Sequence, residues 1–283
     1  SRYGLIAYAS SFDQIGTLSR SVTDAAMLLQ AICGHDPMDA TCVNRNYPDF
    51  AENLNPEIKG LRIGVPKEYF AAHVDDAVKA AVMNALHRME QKGAVLREIS
   101  LPSTEYAVSA YYILASAEAS SNLARFDGVR FGYRAQGCDT LTELYERTRS
   151  EGFGAEVKRR ILLGTFVLSA GYYDAYYMKA KAAQHRIAEE LRQALQDCDL
   201  IAAPSAPETA FPLGERLHRH VQMYQSDLCT IPANLAGLPA VSIPCGSVNG
   251  LPVGLQLLGR HFGEQTLLNA ALACEQEVQY AAI

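Results

Sequence analysis

Four groups of residues in this chain carry side chains suited to chemistry. The run Ser10-Ser11-Phe12-Asp13-Gln14-Ile15-Gly16 concentrates hydroxyls, a carboxylate and a carboxamide. Such a run either supports a neighbouring reactive loop through hydrogen bonds or builds an ordinary polar turn. The triplet Lys158-Arg159-Arg160 could grip an anion, yet in a helical stretch a basic triplet reads first as a solvated face. Asp227 follows Ser226 and precedes an apolar run, so it could hold a cation or simply cap a helix. Tyr111 and its neighbour Tyr112 could offer a phenol to a ligand or pack between helices.

No nucleophile assembles from these groups. The chain has no G-x-S-x-G elbow, and no Cys or Ser has a persuasive His and Asp partner set. Phosphate loops of the G-x-x-x-x-G-K-[ST] or G-x-G-x-x-G type are missing too, so nucleotide chemistry is not expected here. The seven cysteines (Cys33, Cys42, Cys138, Cys198, Cys229, Cys245 and Cys274) are odd in number, scattered and never in a C-x-x-C pair. They predict free thiols in a reducing compartment, the cytoplasm by default. His218 and His220 stand close together without a third ligand nearby, a pattern for which no metal is expected. Arg125, Arg130 and Arg134 interleave with Phe126, Phe131 and Tyr133, a mixture that can bind RNA. In a chain of net charge −6 that short stretch predicts a solvated helix end instead.

The elements that must position these residues follow from periodicity. With 49% apolar and 20% charged residues the chain has ordinary globular composition, and no apolar run approaches a membrane span of about 18 residues. Ser21-Val22-Thr23-Asp24 has the form of a capping box and opens a helix over about 21–33. The segments 61–66 and 94–101 read as strands around an amphipathic helix at 75–92, a βαβ unit with a parallel pair. From 104 to about 197 the pattern is helical, in pieces separated by Gly128, Gly137, Gly152, Gly164 and Gly171. The last piece, 172–196, carries its apolar side at Tyr173, Tyr176, Tyr177, Ala180, Ile187, Leu191 and Leu195. A buried strand at 200–204, a hairpin of 240–244 and 253–259 around Asn249-Gly250, and a helix from Glu264 to about Val278 complete an α/β reading, a mixed β-sheet covered by helices.

Three separated blocks resemble the glutaminase-subunit branch of the amidase signature family. They are the opening run through Gly16; Arg159-Arg160-Ile161-Leu162-Leu163-Gly164-Thr165-Phe166 with Gly171-Tyr172-Tyr173-Asp174-Ala175-Tyr176-Tyr177; and Tyr224 to Ala240 continuing into Gly250 to Gln256. Smaller echoes occur at Glu118 to Arg125 and at Asp127 to Arg130. The first and third blocks are similar to many amidases, whereas the second, with the Tyr106 to Arg134 region, is similar to the glutaminase branch.

The resemblance implies an α/β/α amidase fold, of which residues 1–283 would be the C-terminal portion, truncated at the N-terminus, with a mainly helical insertion at about 104–197. It implies that Arg160 grips a substrate carboxylate, Asp227 the α-ammonium, and Tyr111 lines the same pocket. Free glutamine is a zwitterion, and a pocket selective for it needs these two opposite charges. The Ser-cisSer-Lys machinery would lie upstream of Ser1, leaving no catalytic residue here and this chain inactive alone. Glutamine would be hydrolysed to ammonia for transamidation of Glu-tRNA(Gln) or Asp-tRNA(Asn), in a heterotrimer with B and C subunits. ATP and Mg would be used on the partner subunit, which would also hold the tRNA. A stand-alone amidase for another small amide and a non-catalytic scaffold are the alternatives.

Overall fold

Short β-branched and leucine-rich segments separated by amphipathic helices fold into one mixed sheet with helices packed on it. The computed structural model describes residues 1–71, 73–216 and 219–277; His218 of the histidine pair lies outside them. In chain order the elements are α1 Val22–Ile32, β1 Arg62–Pro66, α2 Asp76–Gln91, β2 Val95–Ile99, α3 Ala107–Asn122, α4 Leu141–Gly152, α5 Ala155–Val167 and a π-helical turn Tyr173–Tyr177. There follow α6 Met178–Asp197, β3 Leu200–Pro204, α7 His220–Gln225, α8 Ile231–Ala236, β4 Ala240–Val248, β5 Leu251–Leu258 and α9 Glu264–Glu275.

The sheet has the order β2-β1-β3-β5-β4. β1 runs parallel to β2, with Ile63 opposite Leu96, and parallel to β3, with Ile63 opposite Leu200. The βαβ expectation is met. β5 runs antiparallel to both β3 and β4. Asn249 (φ 52°) and Gly250 (φ 79°) are both left-handed, which a two-residue hairpin turn requires. β4 occupies an edge, where Pro244 and a register shift between Pro244 and Gly246 interrupt its ladder.

The chain packs as two units. The first comprises Ser1–Tyr3, Gln14–Val108 and His185–Ile283 and contains the sheet; the second comprises Gly4–Asp13 and Ser109–Gln184. In the first, Val78, Val82, Leu86 and Met89 of α2 and Leu267, Leu268 and Ala271 of α9 bury against Leu200, Leu255 and Leu257. Each fully buried aliphatic side chain contributes about 1.5–3 kcal/mol by leaving water. At the start of β1 and β3 the Asp199 carboxylate accepts from the Arg62 backbone N–H (2.9 Å), Nε (3.1 Å) and Nη2 (2.8 Å). Those hydrogen bonds hold the Asp199 carboxyl below its ordinary range. The pair pins two neighbouring parallel strands in register.

The second unit rests on a close helix contact. Gly164, expected as a separator between helices, instead lies buried inside α5. A Cβ there would stand 1.9 Å from the Ser116 carbonyl oxygen and 2.8 Å from Ser120 Cβ, both on α3. The helix accepts a residue that costs about 1 kcal/mol in propensity because no other lets the two backbones meet. The tyrosine stripe also differs from expectation. Residues 173–177 form a π-turn, whose i to i+5 winding breaks the helical register, and Tyr173 and Tyr176 remain 40% and 43% exposed. Tyr173 and Tyr177 stack on each other with centroids 5.0 Å apart, and the buried stripe begins only at Ala180.

Gly164→Ala is expected to destabilise the protein by about 3 kcal/mol, the upper range for overpacking, read as a lowered urea midpoint. Gly16→Ala, where a Cβ meets nothing within 4 Å, should stay within about 0.5 kcal/mol of wild type.

Candidate functional site

Residues four apart share a helix face, so Glu156, Arg160 and Gly164 line one side of α5, and Tyr112, Ser116 and Ser120 line one side of α3. The Gly164–Ser116 contact therefore sets Arg160 against Tyr112 one turn earlier on both helices. The Arg160 guanidinium carbon stands 4.9 Å from the Tyr112 ring centroid and 5.8 Å from that of Tyr8. Both are within cation–π range.

Arg160 is not part of a solvated triplet. Its side chain is 18% exposed, against 46% for Arg159. Nε donates to Glu156 Oε1 at 2.9 Å and Nη1 donates to the Tyr8 hydroxyl at 3.0 Å. Burial opposes the charge, but the Glu156 carboxylate and the Tyr8 hydroxyl outweigh it and hold the guanidinium above the ordinary arginine value. Burial likewise raises the Tyr8 phenol, partly offset by Arg160, so the hydroxyl is neutral near pH 7 and accepts through its lone pair. Glu156 also pairs with Arg159, which leaves one net positive charge in the group of three. A partly buried guanidinium framed by two rings suits a planar carboxylate.

Tyr111 packs edge-on against Phe12, centroids 5.7 Å apart, and against Tyr112 at 5.1 Å. Of these two neighbouring tyrosines, Tyr112 has its ring within cation–π range of Arg160, and Tyr111 packs on Tyr112. The run beginning at Tyr8 forms a compact turn: the Asp13 carboxylate accepts from the N–H groups of Tyr8 (3.0 Å) and Ala9 (3.1 Å), and Ala9 O accepts from Phe12 and Asp13 N–H, both 2.8 Å. Asp13 thus closes its own turn.

Asp227 belongs to the unit that contains the sheet. It is half-buried and does not cap a helix, since Thr230 holds the N-cap position of α8. Its carbonyl accepts from the N–H groups of Thr230 and Ile231, each at 3.1 Å. Two residues on, the Cys229 carbonyl accepts from Nε2 of Gln256, a buried residue of β5, at 2.8 Å. On the other side Ser226 Oγ accepts from Arg216 Nη1 at 3.1 Å, and Arg216 also pairs with Glu208. The segment carrying Asp227 is therefore fastened from both flanks.

Sequence reasoning does not single out Tyr8, Glu156, Gln256 or Arg216. Glu156 is legible as the partner four residues before Arg160; the others depend on tertiary contacts. The basic aromatic stretch is mostly spent on itself: Arg134 Nη1 donates to Gly128 O at 2.8 Å and Arg125 Nη2 to Asn122 Oδ1 at 3.0 Å. All seven cysteines are free. Burial pushes Cys229 and Cys245 up to about 12, too high for a thiolate near neutral pH. Among the described residues no group of three or more His, Cys, Asp or Glu could hold a metal ion, and no helix is long and apolar enough to cross a membrane.

Residues 1–268 match the family model described as Amidase. The chain is 57% identical over 280 residues to the A subunit of glutamyl-tRNA(Gln) amidotransferase from Moorella thermoacetica, covering 99% of this chain and 57% of that protein. It is 53% identical over 277 residues to the same-named protein of Halothermothrix orenii, 98% of this chain and 58% of the relative. Among solved structures, the A subunit of glutamyl-tRNA(Gln) amidotransferase from Thermotoga maritima superposes with a TM-score of 0.79 at 40% identity, covering 99% of this chain and 56% of that one. The peptide amidase of Stenotrophomonas maltophilia gives a TM-score of 0.71 at 27% identity, covering 98% and 55%. The chain spans a little over half the length of these proteins.

Gln256→Leu removes the donor to the Cys229 carbonyl and leaves it buried without that bond. The expected cost is about 1–3 kcal/mol of stability in urea unfolding, with faster amide exchange at Thr230 and Ile231.

Proposed function

We propose that this chain, which belongs to the amidase family, forms the glutamine-recognition part of a glutaminase subunit of a tRNA-dependent amidotransferase. The observation that carries the reading is Arg160: a partly buried guanidinium held between Tyr8 and Tyr112, in a chain 57% identical to a relative named as the A subunit of glutamyl-tRNA(Gln) amidotransferase. An amidase for apolar amides has no use for a guanidinium in such a place.

In this reading Arg160 takes the α-carboxylate of glutamine and Asp227 its α-ammonium, while Tyr111 lines the pocket. Charge-assisted hydrogen bonds to both ends of the amino acid orient the side-chain amide and reject amides lacking either group. The reacting groups are a Ser-cisSer-Lys set in the portion of the relatives' length that this chain does not span. There the serine attacks the amide carbon, the tetrahedral oxyanion collapses with loss of ammonia, and water hydrolyses the glutamyl ester. The ammonia serves the partner B and C subunits in the cytoplasm, where ATP and Mg on the partner activate the misacylated Glu-tRNA(Gln) or Asp-tRNA(Asn). The fold then divides labour: this part selects the amino acid and the rest of the glutaminase breaks the bond.

The test is glutamine hydrolysis by the full-length protein in complex with its partners. Arg160→Ala and Asp227→Ala should each raise the KM for glutamine by about 100-fold with a smaller change in kcat, the mark of lost ground-state binding. The 283-residue chain alone should release no ammonia from glutamine. Unchanged glutamine turnover in both variants would assign the site to another small amide.

A further inference from the structure

Resting on the reading of Arg160 as the carboxylate-binding residue, we infer that Glu118 and Asn122 are positioning residues that hold the turn Tyr8–Asp13 so that Tyr8 meets Arg160. Both lie on α3, four residues apart and therefore on one face. The Glu118 carboxylate takes both donors of Ser11: the backbone N–H at 2.9 Å and the Oγ hydroxyl. Asn122 Nδ2 donates to the Tyr8 carbonyl at 3.1 Å and to Ser10 Oγ at 2.9 Å. Its Oδ1 accepts from Arg125 Nη2 at 3.0 Å, which fixes which way the amide faces.

These bonds complete a closed circuit within one unit. From α3 the path runs through Glu118 and Asn122 to the turn. The turn leads through the Tyr8 hydroxyl and ring to Arg160, and Arg160 leads along α5 to Gly164. Gly164 rests back on Ser116 of α3. The helix contact sets where the Arg160 backbone stands, but the guanidinium sits at the end of a long flexible side chain and needs its own support. Tyr8 gives that support from a turn with no regular secondary structure. Its place is set by Asp13 from within and by Glu118 and Asn122 from α3. A loop anchor with a purely structural role would change stability; this one acts on the affinity for the substrate carboxylate.

The test is a double-mutant cycle on the full-length protein with its partners, read as KM and kcat for glutamine. Glu118→Ala and Asn122→Ala should each raise KM by about 5- to 20-fold with kcat within about twofold, since they loosen a binding residue rather than the reacting groups. In an Arg160→Ala background the same substitutions should raise KM by less than about twofold further, because the group they act through is gone. Glu118→Gln keeps an acceptor for the Ser11 N–H and should recover most of the loss. If Glu118→Ala does not fold, Ser11→Ala removes one of its two bonds and carries the same expectation in smaller measure. Arg160→Ala raising KM while Glu118→Ala and Asn122→Ala leave it unchanged would overturn this inference alone. So would a KM increase from Glu118→Ala that is as large without Arg160 as with it. Arg160→Ala leaving KM unchanged would overturn both this inference and the reading beneath it.

Discussion

The approach of α5 to α3 at Gly164 is the constraint on which the helical unit depends. Two helix backbones meet where a single carbon atom would stand 1.9 Å from a carbonyl oxygen, so their separation is fixed by absence of a side chain. Packing at that distance leaves little rotational freedom, because interiors are filled to crystal-like density and cannot be smoothly deformed. With the helices so fixed, the residues one turn away are fixed too. Arg160 meets Tyr112 because Gly164 meets Ser116, and the same α3 turns its other side toward the Tyr8–Asp13 loop.

Around that frame several polar side chains are aimed at the backbone beside the candidate residues. Glu118 and Asn122 grip the main chain and hydroxyls of the turn, and Asp13 closes it. In the sheet unit Gln256 grips the Cys229 carbonyl two residues past Asp227. Backbone anchors fix position without neutralising the charge of the side chain they support. Glu156 is the exception, spending its carboxylate on Arg160 itself and sharing it with Arg159, so the site keeps a net positive charge.

Much of the sheet is legible in the sequence because its signals are local. Asn249-Gly250 can only be a tight hairpin between two apolar runs, and the βαβ segment from 61 to 101 shows a change of period from strand to helix and back. The helical unit is harder for a physical reason. A glycine reads as punctuation unless a second helix is known to press on it, so Gly164 looks like a break. Five tyrosine-rich residues read as one turn of α-helix unless the backbone is known to widen, so Tyr173 and Tyr176 look like core. Family resemblance singles out Arg160, while its own neighbours argue for solvent. What withdraws it from solvent are Tyr8, 152 positions away in sequence, and Tyr112 on another helix. No window of sequence contains that information.

Among the five strands of the described residues β4 is an edge, and that position has a consequence of its own. An edge strand offers a row of backbone donors and acceptors that a second chain can copy into a continuous sheet, the first step toward fibrils. In β4 the row is broken midway, by a proline with no N–H to give and by the register shift that follows it. At the opposite edge β2 places Arg97 and Glu98 in sequence, charges that a stacking neighbour would have to bury. Within this chain, then, each rim of the sheet carries a feature that resists pairing with a copy of itself.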